Sequence, residues 1–431
     1  MKLTVFQSDK GDCLLLTGGD EKTRVLIDGG MSSSYREHVA ATLGKVHSDG
    51  GKLDVVYVSH IDQDHISGVL ALLDDEVAWR AHEFQLRTGN DEHPEPKAPR
   101  PPVVEEIWHN GFRDQLEDNV GPIAEMLAAS ASVLSGGERA GQRELADGYQ
   151  NLASGVRDGL ELGRRVSAEQ LGIPLNPPFG GKLAVLAEKP KRIQRGSLRF
   201  SLLAPRQEDV EALRETWNEW LADNQAALAR LRAQMQADIE RLGTNEVEVL
   251  RSSLQLQADE LGDRSKVTTP NLASLMFLVE EEGKSVLLTG DGHAREVLSG
   301  LEDAGKLRPG ETIHVEVLKV PHHGSEFNLD TEFCRRVTAD DYIFCANGEH
   351  ANPDLRVLEM ILDSRLATAS GTDSDEDAGG DFRFWFNSSS TVDGADAEHM
   401  VEVERLVKER ADESERFSFS FLTDHFFELE I

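Results

Sequence analysis

The stretch "YVSHIDQDHISGV", residues 57–69, sets His60, Asp62, Asp64 and His65 at the end of an apolar run that begins at "LDVVYVSH" (53–60). A continuous apolar run of this length reads as a strand buried on both faces. In extended backbone, residues two apart share a face, so His60, Asp62 and Asp64 point the same way, and a turn at Asp64 brings His65 round. Two carboxylates this close repel unless a cation lies between them. Mixed imidazole and carboxylate donors without thiolate suit zinc, manganese or iron, with the oxygen-rich set tilting toward harder ions. The bland alternative is a polar strand end with chance histidines.

Two later stretches repeat the plan. "LLTGDG" (287–292) ends an apolar strand in Asp291 between two glycines, which let backbone approach an ion closely. "KVPHHGS" (319–325) ends another in His322, His323 and a glycine. Taken singly, the first is a common turn and the second a common surface pair. Three strand-end clusters in one chain are harder to dismiss.

Working outward, "KLTVFQS" (2–8), "CLLLTGG" (13–19) and "TRVLIDGG" (23–30) read as strands cut by Gly and Asp turns. Residues 35–46 and "ISGVLALLDD" (66–75) read as helices, and "VVEEIWHNGF" (103–112) as a strand. "GGKLAVLAE" and "LRFSLLAP" within 180–205 read as strands, and "LASLMFLVEEEGKSVLLTGDG" (272–292) as a hairpin. The stripe of apolar residues at spacing three and four through 208–242 predicts a packed helix or helical hairpin. "SGTDSDEDAGGD" (370–381) reads as an acidic loop, and "RFSFSFLTDHFFELEI" at the end as edge strands.

The shared texture of the two ends predicts one split domain. Its first half covers 1–112 and its second 263–431, with an acidic loop at about 366–398. Helical insertions are expected at 113–178 and 206–262, with core strands between them at 179–205.

Composition bounds the function. The 431 residues carry 78 acidic and 45 basic side chains, a formal charge of −33. Such a field opposes casual binding to nucleic acid or anionic membrane, so a polyanionic substrate needs ions or a local basic track to offset it. "RRV" (164–166) and "KPKRIQR" (189–195) offer such a track, with a solvated face as the plainer reading. Cys13, Cys334 and Cys345 form neither a disulfide framework nor a zinc knuckle and fit a reducing cytosol. No signal peptide and no run of 18 apolar residues is read, so a cytoplasmic, non-membrane protein is expected.

In their order, "SHIDQDHISG", "LLTGD" and "LKVPHHGS" resemble the metallo-β-lactamase-fold hydrolases, in the branch typified by the nuclease-like domain of the ComEC competence proteins. "FQSDKGDCLLL" and "VLIDGG" resemble that branch's first strands. The resemblance covers about 1–110 and 265–365, roughly half the chain. It implies an α/β fold, an αββα sandwich carrying the helical insertions, with two divalent ions (Mn2+ or Zn2+, with Mg2+ a further option) at the sheet edges. His60 and Asp62 would serve one ion, Asp64 and His65 the other, and Asp291 would bridge them. His323 takes the late ligand position. His322 then faces substrate for proton transfer or phosphate contact, and Asp64 joins it in the catalytic set.

Two departures stand out. The third motif's histidine is replaced by "TTPNLAS" (268–274), where Asn271 is a weak ligand or a hydrogen-bond donor to the ligands. The branch's "HP" pair is replaced by "EHANPD" (349–354), which puts His350 and Asn352 at that position.

The expected reaction is phosphodiester cleavage by an ion-activated water, with DNA as the favoured substrate. The alternatives are a hydrolase of a small phosphoester or cyclic nucleotide, and a partner-binding module with a vestigial site. The resemblance also implies an antiviral or mobile-element setting, with a protein partner or activating protease. It predicts weak activity in the intact chain and a rise on cutting in the acidic loop.

Overall fold

The computed structural model describes residues 1–110, 154, 157–187, 192–211, 274–367 and 380–431. Its strands are β1 (Lys2–Phe6), β2 (Leu14–Thr17), β3 (Arg24–Ile27), β4 (Lys52–Leu53), β5 (Val55–Tyr57), β6 (Val103–Val104), β7 (Ile107–Trp108), β8 (Arg192–Arg195) and β9 (Leu198–Ala204). They continue with β10 (Met276–Glu281), β11 (Lys284–Leu288), β12 (Ile313–Lys319), β13 (Val337–Phe344), β14 (Phe382–Phe386), β15 (Phe417–Phe421) and β16 (Phe426–Glu430). The main helices are α1 (Ala40–Ser48), α2 (Gln63–Arg87), α3 (Ala294–Asp303), α4 (Thr331–Arg336), α5 (Leu355–Ala367) and α6 (Ala397–Glu413).

Six strands form one sheet in the order β16-β1-β2-β3-β5-β7, and eight form another in the order β15-β14-β13-β12-β11-β10-β9-β8. The first sheet joins the two ends of the chain, since β1 pairs antiparallel with β16 from Lys2 opposite Glu430 to Phe6 opposite Phe426. Alternation explains the layering. Leu3, Val5, Leu14, Leu16, Val25 and Ile27 of the first sheet share a buried cluster with Phe200, Phe277, Val279, Val286, Leu288 and Val317 of the second. The other face of the first sheet packs on α1 and α2 through Leu26, Val56, Leu43, Val69 and Leu72. The other face of the second packs on α3 to α6 through Leu287, Leu318, Phe384, Val297, Leu358 and Val403.

This topology assembles the site. β3, β5 and β7 run parallel, as do β11, β12 and β13. Loops leaving the C-terminal ends of parallel neighbours emerge on one edge, the usual place for ligands in such sheets. His60 follows β5, Asp291 follows β11, and His322 and His323 follow β12.

The structure differs from the sequence reading in several elements. α2 runs on to Arg87, a dozen residues past the expected end, because no glycine or proline follows Asp75 before Gly89. The described part of "GGKLAVLAE", residues 180–187, forms no strand: Leu186 makes an isolated bridge to Arg206, and Ala184 exchanges hydrogen bonds with the Asn110 side chain. The stretch expected to be an acidic loop at 366–398 contains β14, whose "FRFWF" buries Phe382, Phe384 and Phe386 on one face and turns Arg383 and Trp385 to the other, and which pairs parallel with both β13 and β15. Within it, 368–379 lies outside the described residues, as do most of the proposed insertions (111–153 and 212–262). The described part of the first insertion includes a helix over 157–166, which adds Leu162 and Val166 to the α2 side of the core. Among the described residues no helix is long and apolar enough to cross a membrane.

Candidate metal centre

Tyr57 ends β5 and donates its hydroxyl proton to the Leu275 carbonyl, tying the two sheets together beneath the site. Ser59 and His60 come next, and α2 begins at once. Asp62 occupies the position before the helix, where an aspartate usually accepts from the first-turn amides. Its side chain makes no such bond. The carboxylate instead turns to His60, with Oδ2 at 3.5 Å from Nε2. Asp64 and His65 lie in the first turn, His65 fully buried and Asp64 partly open.

Four imidazoles converge on Asp291. His60 Nε2 stands 3.4 Å, His322 Nε2 3.6 Å and His323 Nε2 3.6 Å from Asp291 Oδ2, and His65 Nε2 is 3.4 Å from Oδ1. Asp64 Oδ2 lies 3.3 Å from His323 Nε2 and 3.8 Å from His65 Nε2. Buried polar atoms almost always find hydrogen-bond partners. Here His60 Nε2, His65 Nε2, His323 Nε2 and Asp291 Oδ1 have none.

The reason lies on the far side of each ring. The Asp28 carboxylate receives Ser59 N–H at 2.7 Å and Ser59 O–H at 2.7 Å, so Ser59 Oγ has its lone pairs left for a ring N–H. His60 Nδ1 meets that oxygen at 3.0 Å, and His65 Nδ1 meets Asp28 Oδ2 at 2.9 Å. His323 Nδ1 donates to the Cys345 carbonyl at 2.7 Å. His322 Nδ1 lies 2.7 Å from Asn328 Oδ1, and Asn328 is oriented by its Nδ2 donating to the Asp291 carbonyl at 3.0 Å. In every case the fixed acceptor assigns the proton to Nδ1 and leaves the Nε2 lone pair facing inward. This is the arrangement of metal-ligating histidines, whose outer nitrogen is held by a carboxylate or carbonyl.

The spacings fit an ion as well. Donors about 2.1 Å from a tetrahedral ion stand roughly 3.4 Å from one another. The inward pairs fall at 3.3–3.8 Å, too long for good hydrogen bonds and right for donors sharing a cation. The residues therefore fit the divalent ions that the sequence implied.

Electrostatics agree. Burial and the neighbouring His65 act to lower His60, but Asp291 and Asp62 outweigh them and raise it to about 9. His65 is likewise raised, with burial opposed by Asp291, Asp64, Asp28 and Asp12. Burial would raise Asp291, yet His65, His322, His323 and His60 hold it well below its ordinary value. The carboxylates draw positive charge into this space, and a divalent ion would displace the protons they hold on the rings.

The sequence reading missed the support behind the rings. Asp12 and Asp28 are fully buried, with Asp12 Oδ1 3.4 Å from His323 Nδ1. Lys319, also buried, forms an ion pair with Asp12, donates to the Gly290 carbonyl at 3.2 Å and lies 3.9 Å from Asp291 Oδ1. Burial works to raise Asp12, but Lys319, His65 and His323 together hold it at about 2. His109, next after β7, is buried beside His60, its Nδ1 3.4 Å from the Val58 carbonyl and its Nε2 unpartnered. Burial pushes it down to about 4 against the Val58 carbonyl, and His60 adds to the shift.

His350 and Asn352 are not drawn into the donor cluster. They line the cleft above it, a space of ≈ 380 Å³ also walled by Lys10, Asp62, Asp64, His322, Phe327 and Glu349. Phe327 is 83% exposed there, and Lys10 pairs with Glu349 at 2.9 Å. Asn271 lies outside the described residues.

A family model described as the metallo-beta-lactamase superfamily matches residues 9–134. That span contains Asp12, Asp28 and the whole "HIDQDH" loop. Comparison with curated proteins gives no match.

Proposed function

We propose that this chain is a metal-dependent hydrolase of phosphodiesters, acting as a nuclease with DNA as the favoured substrate. The observation that carries the proposal is the convergence of buried imidazole nitrogens, stripped of hydrogen-bond partners, on the Asp291 carboxylate. The match to the metallo-beta-lactamase superfamily over 9–134 supports a metal-dependent hydrolase. Two sheets sharing one core, with helices on their outer faces, support the αββα sandwich. The finer reading, a phosphodiester of the kind handled by ComEC-like nucleases, rests on the donor chemistry. Asp62, Asp64 and Asp291 make a harder, more anionic set than an all-histidine site and suit manganese, magnesium or zinc on a phosphoryl group.

Divalent ions bound here would supply charge neutralisation at the phosphoryl oxygens and a water acidified toward neutrality. The protein's own groups do the rest. Asp291, His60, His65 and His323 hold the centre, and Asp28, Ser59 and the Cys345 carbonyl fix the rings. Asp62 and Asp64 are the partly open carboxylates, 27% and 19% exposed, so they face the cleft. Asp64 is placed to accept a proton from attacking water, and Lys10 to meet a phosphate oxygen. Phe327 offers an apolar face at the rim, the kind of surface on which a base stacks. Control by a protein partner or by a cut in the acidic stretch belongs to the same proposal.

The size of the cleft, ≈ 380 Å³, also favours a second reading, a small phosphoester or cyclic nucleotide. One panel separates them. Purified protein with Mn2+, Zn2+ or Mg2+ is given plasmid DNA, single-stranded DNA, RNA and a chromogenic diester, beside Asp64→Ala and Asp291→Ala. We expect ion-dependent cleavage of DNA and a loss of at least about a hundredfold in both variants. Cleavage of the small diester alone selects the second reading. No ion-dependent cleavage of anything leaves a partner-binding module.

A further inference from the structure

We propose that His38 and His425 form a further metal site, separate from the Asp291 centre, which takes a zinc-like divalent ion between their Nδ1 atoms and ties an early segment of the chain to a late one. The proposed function uses neither residue.

The two histidines meet at the edge of the first sheet, where β16 is the outermost strand. His38 lies in a π-helical turn, Tyr35–Val39, that runs into α1. Tyr35 and Val39 are buried and anchor the turn, and His38 is left half-buried. Such turns are rare and gather at functional sites. His425 sits in the turn between β15 and β16. Its carbonyl accepts from the Gln7 amide at 2.9 Å, and its own amide donates to Asp424 Oδ1 at 2.9 Å. Both backbones are therefore held, and the ring centroids stand 5.1 Å apart. An open groove of ≈ 910 Å³ borders both rings, with room for an ion and its waters.

The protons of the pair do not suffice for its four nitrogens. His38 Nδ1 is 2.8 Å from His425 Nδ1. On the far side of each ring a carboxylate faces the other nitrogen. Glu37 Oε2 is 4.0 Å from His38 Nε2, and Asp424 Oδ1 is 3.7 Å from His425 Nε2. These carboxylates favour a proton on each Nε2. A neutral imidazole has only one. With both protons outward, two bare Nδ1 lone pairs face each other and repel. If one ring moves its proton to Nδ1 and donates to the other, its Nε2 lone pair turns on a carboxylate. A cation between the Nδ1 atoms removes both conflicts. An inner lone pair on an ion and an outer N–H toward a carboxylate is how ligating histidines are held.

The donor type selects the ion. Imidazole pairs suit zinc, copper or nickel, whereas magnesium prefers oxygen and keeps its waters. Nitrogens on a tetrahedral ion stand roughly 3.4 Å apart, so the rings must open slightly, and His425 is exposed and free to tilt. Water fills the remaining positions. The ion then links the turn before α1 to the start of β16, the strand that pairs with β1.

The test reads which nitrogen binds. In the Asp291 centre the inward atoms are Nε2; here they are Nδ1. The full chain with 15N-labelled histidine is titrated with Zn2+. We expect two rings to shift at Nδ1 at micromolar zinc, in the parent and equally in Asp291→Ala, and neither to shift with Mg2+. Equilibrium dialysis should find one ion fewer per chain in His425→Gln and in His38→Gln, and the double variant should lose no more than either. Replacing both outer carboxylates, Glu37→Gln with Asp424→Asn, should weaken this binding about tenfold. Nδ1 signals that stay still, or move only at millimolar zinc, would overturn the proposal, because the pair would then share a proton only. Equal ion numbers in the parent and both single variants would do the same. A chain that binds zinc here and cleaves no phosphodiester defeats the function proposed above and leaves this site standing.

Discussion

A buried carboxylate beside a buried histidine needs a counter-charge, and here Lys319 supplies it. Its ammonium is held above its ordinary value by Asp12 and Asp291 in spite of burial, which acts to lower it. Removing one partner of a buried pair strands the other, at a cost of roughly 3–5 kcal/mol. Lys319→Met should therefore lower the stability measured by urea unfolding by that much, and adding Asp12→Asn to it should recover part of the loss. A double variant no more stable than Lys319→Met would show that Asp12 does not depend on the lysine. This network was the least legible part of the site. Asp12 in "SDKGDC" and Asp28 in "LIDGG" look like ordinary turn residues, because aspartate beside glycine after a strand is common for backbone reasons alone. The one available signal was Lys319 itself, a cation inside the apolar run "VEVLKV", where a charge must find a partner. The inward donors His60, Asp62, Asp64, His65, Asp291 and His323 were legible because each sits just past an apolar strand, and parallel strands deliver the loops at their C-terminal ends to one edge.

Elements hold these residues in place through close backbone contact. α2 crosses the loop after β3 so tightly that Gly68 N donates to the Gly30 carbonyl at 3.0 Å, and a Cβ on Gly68 would fall 1.9 Å from the Gly29 oxygen. A methyl there must push the helix off the sheet, carrying Asp64 and His65 with it. Gly68→Ala should cost roughly 1–3 kcal/mol by overpacking and weaken ion binding about tenfold, read by competition with a chromogenic chelator. Gly163→Ala, on the helix at 157–166 with nothing within 4 Å, is the control and should be neutral or slightly stabilising. Equal ion affinity in both would mean the crossing does not position the loop. Sequence pattern located α2 but stopped it at residue 75, where its buried stripe ends; beyond Asp75 the helix is held by half-buried contacts, with Val77 against the core, Trp79 Nε1 donating to the Ala98 carbonyl at 3.0 Å and Arg80 Nη1 to the Leu171 carbonyl at 2.8 Å. Composition likewise hid β14, because an acidic, Ser- and Gly-rich neighbourhood drew one label over a strand whose alternate residues Phe382, Phe384 and Phe386 are buried. The first error comes from ending the helix with its fully buried stripe, the second from reading composition ahead of periodicity.

At the scale of the whole molecule, charge decides how the polyanion proposed as substrate would reach the centre. The chain carries −33. DNA-binding proteins that neutralise phosphates lose affinity steeply with salt, through release of condensed counterions. Here the long-range field should act the other way. Between an acidic protein and an acidic substrate, added salt first screens repulsion, and the Debye length falls from about 30 Å at 0.01 M to about 8 Å at 0.15 M. Only the approach is affected, because the donors at Asp291 are buried and screened little. We therefore expect KM for an oligonucleotide to fall severalfold as monovalent salt rises from about 10 to 150 mM, at saturating divalent ion, while KM for an uncharged-ended small diester stays within about twofold. kcat should be flat for both. An oligonucleotide KM that rises with salt would reveal a basic track strong enough to outweigh the net field, and "KPKRIQR" (189–195), of which 192–195 form β8, would be the place to look. The opposite slopes make the experiment decisive about approach without reference to how the phosphodiester is cut.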